Sequence, residues 1–576
     1  MNYRKLLLII LLLALVIAPR IVGLKSFVTI DEPFWLSVGA NFYYALGQRE
    51  LQNTVYEYHP AVTTMWFVTD AFLIYFPEFR ALGQGYFDVD KNMFDPFLIE
   101  HGKSPLQLLF LSRLFQLVVI AITALVIFYL LSLLIGNEKA FLFTAFVSSA
   151  PFFLGHSRVL NHEGMIAFFV LTSIFGMMTY LEYDRKWQYL VISAAATALA
   201  QLTKSSALAM IPVIALILAV SLFQQKKIRG FGYALLDHLK IFGIWFVVLV
   251  IVYVIVWPGM WVAPGKMLYE VYGNAFSYAF QGARLQVTHE LQPSTFSLAS
   301  AGGTIQNYAA DLFWRSTPLT WLGLIFSALV LFQRGEYADI IKKLVLYLLL
   351  TAILFVVLFS IAQGRNSAHY ILSSHVSLDG IAALGWGMMI GRLGTDAITA
   401  GKSEVNLKRS RRIRAAGVAL IALLQLGSAL AFYPYYYTYY NPIMVWLSGQ
   451  TPAYDYGEGF EQAAAYLTQK PDAESLKVLS FRGRGPFSYF FPGETIILNP
   501  LFMEEPGMAS MIERLRQADY LVLNDALGMR TERTQLFVSA LNGMAPEHTI
   551  HIKGIYDIHI YRIADLPTSF YETITK

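Results

Sequence analysis

Val28-Thr29-Ile30-Asp31-Glu32-Pro33-Phe34-Trp35 follows the first long apolar run of the chain and puts two neighbouring carboxylates where an apolar helix would leave lipid for water. An ionisable group at such a depth is costly unless it faces a cavity or a partner, so Asp31 and Glu32 read as functional residues, with Asp31 the candidate catalytic group. A plainer reading stands beside it: an acidic pair ahead of Pro33 is also a helix start with favourable dipole electrostatics.

The run before this stretch, 6–17, follows Arg4 and Lys5 and meets no small-residue cleavage pattern at Ala18-Pro19-Arg20-Ile21, so it is expected to be an uncleaved signal anchor. With 56% hydrophobic and 14% charged residues, the 576-residue chain is more apolar than a soluble protein of ordinary composition. A membrane span needs about 20 mostly apolar residues. Eleven stretches qualify: 6–24, 106–135, 140–156, 164–182, 189–203, 206–223, 241–257, 318–333, 344–362, 370–391 and 415–432.

After 432 the composition changes. An aromatic collar, 433–442, leads into short apolar runs at 478–481, 495–498, 520–523 and 557–561 that read as strands, separated by helical patterns at 508–517 and 532–541. The expected fold class is therefore a polytopic α-helical membrane protein with about 11 transmembrane helices and a C-terminal soluble α/β domain. The domains are 1–432, with a large first outer loop at 25–105 carrying aromatic interfacial stretches at 34–46 and 61–76, and 433–576.

Orientation follows from charge. With the N-terminus in the cytoplasm, the loops at 2–5, 136–139, 184–186, 224–240, 334–343 and 392–414 fall on the cytoplasmic side and hold two, one, two, four, three and seven Lys or Arg. The positive-inside rule is then met, and 433–576 lies outside a multi-pass cell membrane protein. Net charge is only +4 and the basic residues sit beside spans, which speaks against nucleic acid as a partner. With no cysteine, disulfides and thiolate chemistry are excluded.

The boundary charges then gather on the outer side: Asp31 and Glu32, His59-Pro60, His156-Ser157-Arg158 with His162-Glu163, Thr203-Lys204-Ser205, and Arg365 with His369-Tyr370. Individually, Lys204 could snorkel, Arg158 and Glu163 could pair, and the histidines could be packing residues. Together they suit a phosphate-bearing lipid, since cations neutralise a phosphate leaving group and a carboxylate takes a proton from an incoming hydroxyl.

On Asp31-Glu32-Pro33, His59-Pro60 before Met65-Trp66, Ser157-Arg158 ahead of Glu163, Leu202-Thr203-Lys204-Ser205, Trp257-Pro258, Tyr439-Tyr440-Asn441-Pro442 and Gly457-Glu458-Gly459-Phe460, the chain resembles the C-type (GT-C) membrane glycosyltransferases. The likeness is to the branch of protein O-mannosyltransferases and lipid A aminoarabinose transferases. It implies a mannosyltransferase-like enzyme that moves a sugar, with inversion, from a polyprenyl-phosphate carrier to a hydroxyl of a protein, lipid or glycan. It further implies Asp31 as general base, Glu32 and Glu163 as orienting carboxylates, with His59 and His162 beside them, and Lys204 with Arg158 on the lipid phosphate. Two positions depart from the family pattern. Glu163 stands where Asp is expected, and His369-Tyr370 where an Arg-Tyr pair is common, so His369, Tyr370 or nearby Arg365 would contact the phosphate.

Asp88-Val89-Asp90 is an isolated acidic motif, and neither a metal nor another cofactor is firmly expected. A transporter or flippase of lipid-linked sugars is the alternative. It would place ionisable residues deep in several spans and relate two halves by a repeat, and the sequence has neither pattern.

Overall fold

The computed structural model describes residues 3–56, 59–281, 298–333, 335–362, 367–399, 404–503 and 507–575. Each of the eleven apolar stretches is helical. Among the described residues six helices are long and apolar enough to cross a membrane: Pro105–Ile135, His162–Glu182, Ser205–Gln225, Phe231–Val256, Ala338–Ile361 and Lys408–Leu430. The stretch at 140–156 is broken into Asn137–Ser148 and Pro151–Arg158, bent by 69°, and makes a seventh if the pair is one span. The break has a covalent cause: Pro151 has no N–H to continue the ladder, and Ala150 before it is held extended at ψ 125°. Elsewhere the apolar pattern meets helices that are short or charged. Pro318–Ala328 has 11 residues, Trp187–Thr203 has 17, and Tyr3–Ile21 carries Arg4, Lys5 and Arg20. By length and composition this is a polytopic helical protein with six candidate spans among the described residues, or seven if the bent pair is one span.

Contacts group the chain into two compact units: Met1–Val22, Val38–Tyr86 and Ser112–Ser448 form the first, and Gly23–Ser37, Phe87–Leu111 and Gly449–Lys576 the second. In the first, small and hydroxylated residues let helices approach closely, as expected where lipid gives no hydrophobic drive between helices. Ser173 Oγ lies 2.7 Å from Thr197 Oγ1, Trp245 donates to Ser193 Oγ at 3.0 Å, and a Cβ on Gly176 would stand 2.9 Å from Ser193 N.

The second unit holds a five-stranded sheet of β1 (Lys477–Phe481), β2 (Glu494–Leu498), β3 (Tyr520–Asn524), β4 (His548–Ile550) and β5 (Ile558–Arg562) in the order β2-β1-β3-β5-β4. β1 runs parallel to β2 and β3, with Val478 opposite Tyr520, and β5 is antiparallel to β3 and β4. The central strand β3 is buried along its whole length, which matches its unbroken Tyr-Leu-Val-Leu run. Phe460, Leu515 and Phe537, from the helices Phe460–Thr468, Met508–Gln517 and Glu532–Ser539, pack into the same core. The expected C-terminal α/β sheet is therefore present.

Candidate functional site

In the first unit Glu163 and Tyr370 meet at Lys204, with His59, His162 and His369 nearby. The helix Trp187–Thr203 ends there, and Lys204 turns extended at φ −155°, ψ 137° while its N–H still reaches Ala200 O at 3.0 Å. That turn directs the ammonium to Glu163, with which it forms an ion pair whose side chains are 5% and 8% exposed. Glu163 is placed by a helix start: Asn161 Oδ1 caps His162–Glu182 by accepting from Glu163 N–H at 2.7 Å. Tyr370 offers its ring to the same ammonium, 4.7 Å from the centroid, in a cation–π contact. His369 packs on Tyr370 at 4.3 Å between centroids, and the rings of His59 and His162 are 5.9 Å apart. His59 is held near this end by the next backbone step, because Ala61 N–H donates to Thr203 O at 3.3 Å and Thr63 Oγ1 lies 2.8 Å from Thr203 Oγ1.

Lys204 and His59, with Ser205 and Ser206, form the polar end of a cavity of about 240 Å³ whose remaining wall is largely apolar, with Tyr272, Phe276, Leu358 and Phe359. An ammonium at the polar end of such a cavity can meet an anionic head group while the apolar wall takes hydrocarbon.

Arg158 has a different placement. Its two terminal nitrogens donate to Pro434 O and Val22 O, both at 2.9 Å, and its guanidinium lies over the Tyr436 ring at 5.2 Å. These contacts brace three chain segments. Arg365 lies outside the described residues.

Asp31 and Glu32 belong to the second unit. The helix Glu32–Gln48 starts here, with Trp35 N–H donating to Asp31 O at 3.1 Å, so the helix-start reading holds for the backbone. Glu32 is fully buried and its Oε2 accepts from Thr29 N–H at 2.8 Å and Thr29 Oγ1 at 2.9 Å, a closed turn that fixes the entry to the helix. Asp31 is half-buried, and its Oδ2 accepts from the Tyr456 hydroxyl.

Two further features had no signal in the pattern of residues. Arg20, at the end of the first apolar helix, is fully buried and donates to Ser157 Oγ at 2.8 Å and Ser148 O at 2.9 Å. Arg484 in the second unit is ion-paired to the buried Asp95 at 3.2 Å and donates to Ser37 Oγ at 2.7 Å. Asp88 and Asp90 form a local turn, Asp90 N–H donating to Asp88 Oδ1 at 3.0 Å. Among the described residues no group of three or more His, Asp or Glu is placed to hold a metal ion.

A polytopic helical bundle with a buried ammonium at one end of a largely apolar cavity has room and charge for an amphiphilic anion. Residues 108–257 match the family described as dolichyl-phosphate-mannose-protein mannosyltransferase, and this segment includes Arg158, His162, Glu163 and Lys204. The likeness to the O-mannosyltransferase branch of the C-type membrane glycosyltransferases is thereby borne out. Among curated proteins the sequence finds no match. Among solved structures it is similar to ArnT from Cupriavidus metallidurans bound to undecaprenyl phosphate, at 12% identity and a TM-score of 0.45, covering 96% of this chain and 97% of that one. It is also similar to the oligosaccharyltransferase AglB from Archaeoglobus fulgidus in complex with an inhibitory peptide and a dolichol-phosphate (13% identity, TM-score 0.44, 94% and 71%). A third likeness is to the S. cerevisiae protein O-mannosyltransferase Pmt1-Pmt2 complex bound to the sugar donor (16%, 0.35, 49% and 36%).

Proposed function

We propose that this protein transfers a glycosyl group from a polyprenyl-phosphate carrier to a hydroxyl of a protein, lipid or glycan acceptor at the outer face of the cell membrane. The observation that carries the reading is Lys204, buried at the head of an apolar cavity within the segment that matches the mannosyltransferase family. In the reaction the acceptor oxygen forms a bond to the anomeric carbon as the bond from that carbon to the carrier phosphate breaks. Within the second unit Asp31 is the group assigned to take the hydroxyl proton, and within the first unit Lys204 is the group assigned to the phosphate of the departing polyprenyl carrier. A phosphate is acidic enough to leave without a general acid, so one carboxylate base suffices; a single displacement of this kind inverts the anomeric centre, as the family resemblance implies. His59, His162, His369 and Tyr370 surround the phosphate position, and Glu163 holds the ammonium in place. Arg158, spent on two carbonyls, contributes by bracing the segment before Glu163.

The test is turnover of a panel of radiolabelled polyprenyl-phosphate sugars by purified protein, read as released polyprenyl phosphate. Asp31→Asn keeps size and helix-starting capacity but accepts no proton, so donor binding stays and turnover falls ~100-fold or more. Turnover by Asp31→Asn close to the parent rate sinks Asp31 as the base.

A further inference from the structure

The hydrogen bond on Asp31 comes from 425 residues further along the chain, from Tyr456 in Tyr454-Asp455-Tyr456-Gly457. Nothing about the backbone of Tyr456 is loose. Its carbonyl accepts from Ile30 N–H at 3.1 Å, one residue from Asp31, and its own N–H donates to Glu458 Oε2 at 2.7 Å. Gly457 follows at φ +104°, and a Cβ there would stand 2.7 Å from Pro486 Cγ and 3.2 Å from Val28 O. Only glycine lets the chain pass this close to the Asp31 segment in that conformation.

The acidic neighbours of this segment are each held by donors of their own. Glu32 is turned onto Thr29. Asp455 accepts from Arg482 at 2.5 Å and Asn524 at 3.1 Å, with Arg530 at 3.6 Å. Glu458 is buried, which pushes its carboxyl up to about 8, so it is largely neutral at pH 7 and adds little negative charge beside Asp31. The tyrosine hydroxyl is thus delivered to one carboxylate by a segment anchored on both sides.

We propose that Tyr456 is a positioning residue for the glycosyl transfer assigned above, its phenol holding the Asp31 carboxylate in one orientation and favouring the ionised form. The inference rests on Asp31 being the base. A hydroxyl donated to a carboxylate stabilises the anion and lowers its proton affinity, and it also fixes the side-chain torsion, so that reaction does not wait on a rotamer search. The C-terminal segment then completes the base.

The experiment measures kcat and KM against pH for the parent, Tyr456→Phe and a protein carrying 3-fluorotyrosine at position 456, with Asp31→Asn in parallel. The substrate is the radiolabelled polyprenyl-phosphate sugar that turns over. Tyr456→Phe is expected to lower kcat about tenfold, leave donor KM unchanged and move the acidic limb of kcat/KM up by about one pH unit. Fluorotyrosine is the stronger donor and moves that limb down, and because it keeps the ring and hydroxyl it reads the bond even where Tyr456→Phe folds poorly. An acidic limb at the same pH in all three proteins, with Asp31→Asn inactive, overturns the positioning role. Parent-like activity in Asp31→Asn overturns the base assignment instead.

Discussion

Replacing Lys204 by Met takes the ammonium from Glu163, whose side chain is 8% exposed, and leaves a carboxylate buried at the head of an apolar cavity. Breaking a buried pair from one side costs about 3–5 kcal/mol, most of it the desolvation of the charge left behind. Lys204→Met with Glu163→Gln removes both charges at similar volume, so most of that loss should return. Donor affinity behaves differently. A charge-assisted contact to phosphate is worth about 1.5–3 kcal/mol, which is roughly 10- to 150-fold in Kd, and the second substitution restores none of it. Thermal unfolding in detergent reads the first quantity, and binding of undecaprenyl phosphate against undecaprenol reads the second. A double variant with parent stability that still binds undecaprenyl phosphate as the parent does would leave Lys204 a structural cation and refute the phosphate assignment.

Arg484→Met strands the buried Asp95 in the same way and should cost about 3–5 kcal/mol in unfolding of the second unit, with Arg484→Lys recovering only part because it cannot also reach Ser37; equal stability of all three would remove the pair from the account. Because the folded Glu458 carboxyl is raised from 4.5 to about 8, its contribution to stability is full below pH 4.5 and is lost as pH rises through 8. The protein should therefore lose stability across that window by at most ~1.4 kcal/mol per pH unit from this group, and Glu458→Gln should flatten the decline in a pH series of melting temperatures. Single cysteines at the exposed Arg409 and Ser475 should label from opposite sides of the membrane, and labelling of both by an impermeant reagent in intact cells would reject the proposed orientation.

Helices and most strands were legible because their signal is periodic and local. The helix at 508–517 and the strand at 520–523 fall where the apolar pattern put them, and the stretches at 34–46 and 61–76 are the helices Glu32–Gln48 and Val62–Tyr75. β4 left no trace, since His548-Thr549-Ile550 is a strand only by pairing with β5. Six of the eleven expected spans are helices that meet the length and composition of a span, and the stretch at 140–156 carries a bend at Pro151 that an apolar run does not reveal. At the site, residue types were visible but their partnerships were not. Lys204 and Glu163 are 41 residues apart and were singled out separately, as one cation and one carboxylate. Arg20 entered only as part of a stretch without a cleavage pattern; its partners Ser148 and Ser157 arrive from the two halves of the bent pair. Tyr456 was one tyrosine among 34.

The make-up of the second unit bears on how the chain is born. Gly23–Ser37 and Phe87–Leu111 leave the ribosome early, yet the body they join, Gly449–Lys576, is translated last. At about 5–20 residues per second, the 425 residues between Asp31 and Tyr456 take roughly 20–85 s to synthesise. Through that interval the Asp31 segment waits while hundreds of residues of the first unit are synthesised. Such long-range closure makes folding slow and exposes the waiting segment to mispairing, so biogenesis of this unit should lean on helper proteins more than the local helices of the first unit do.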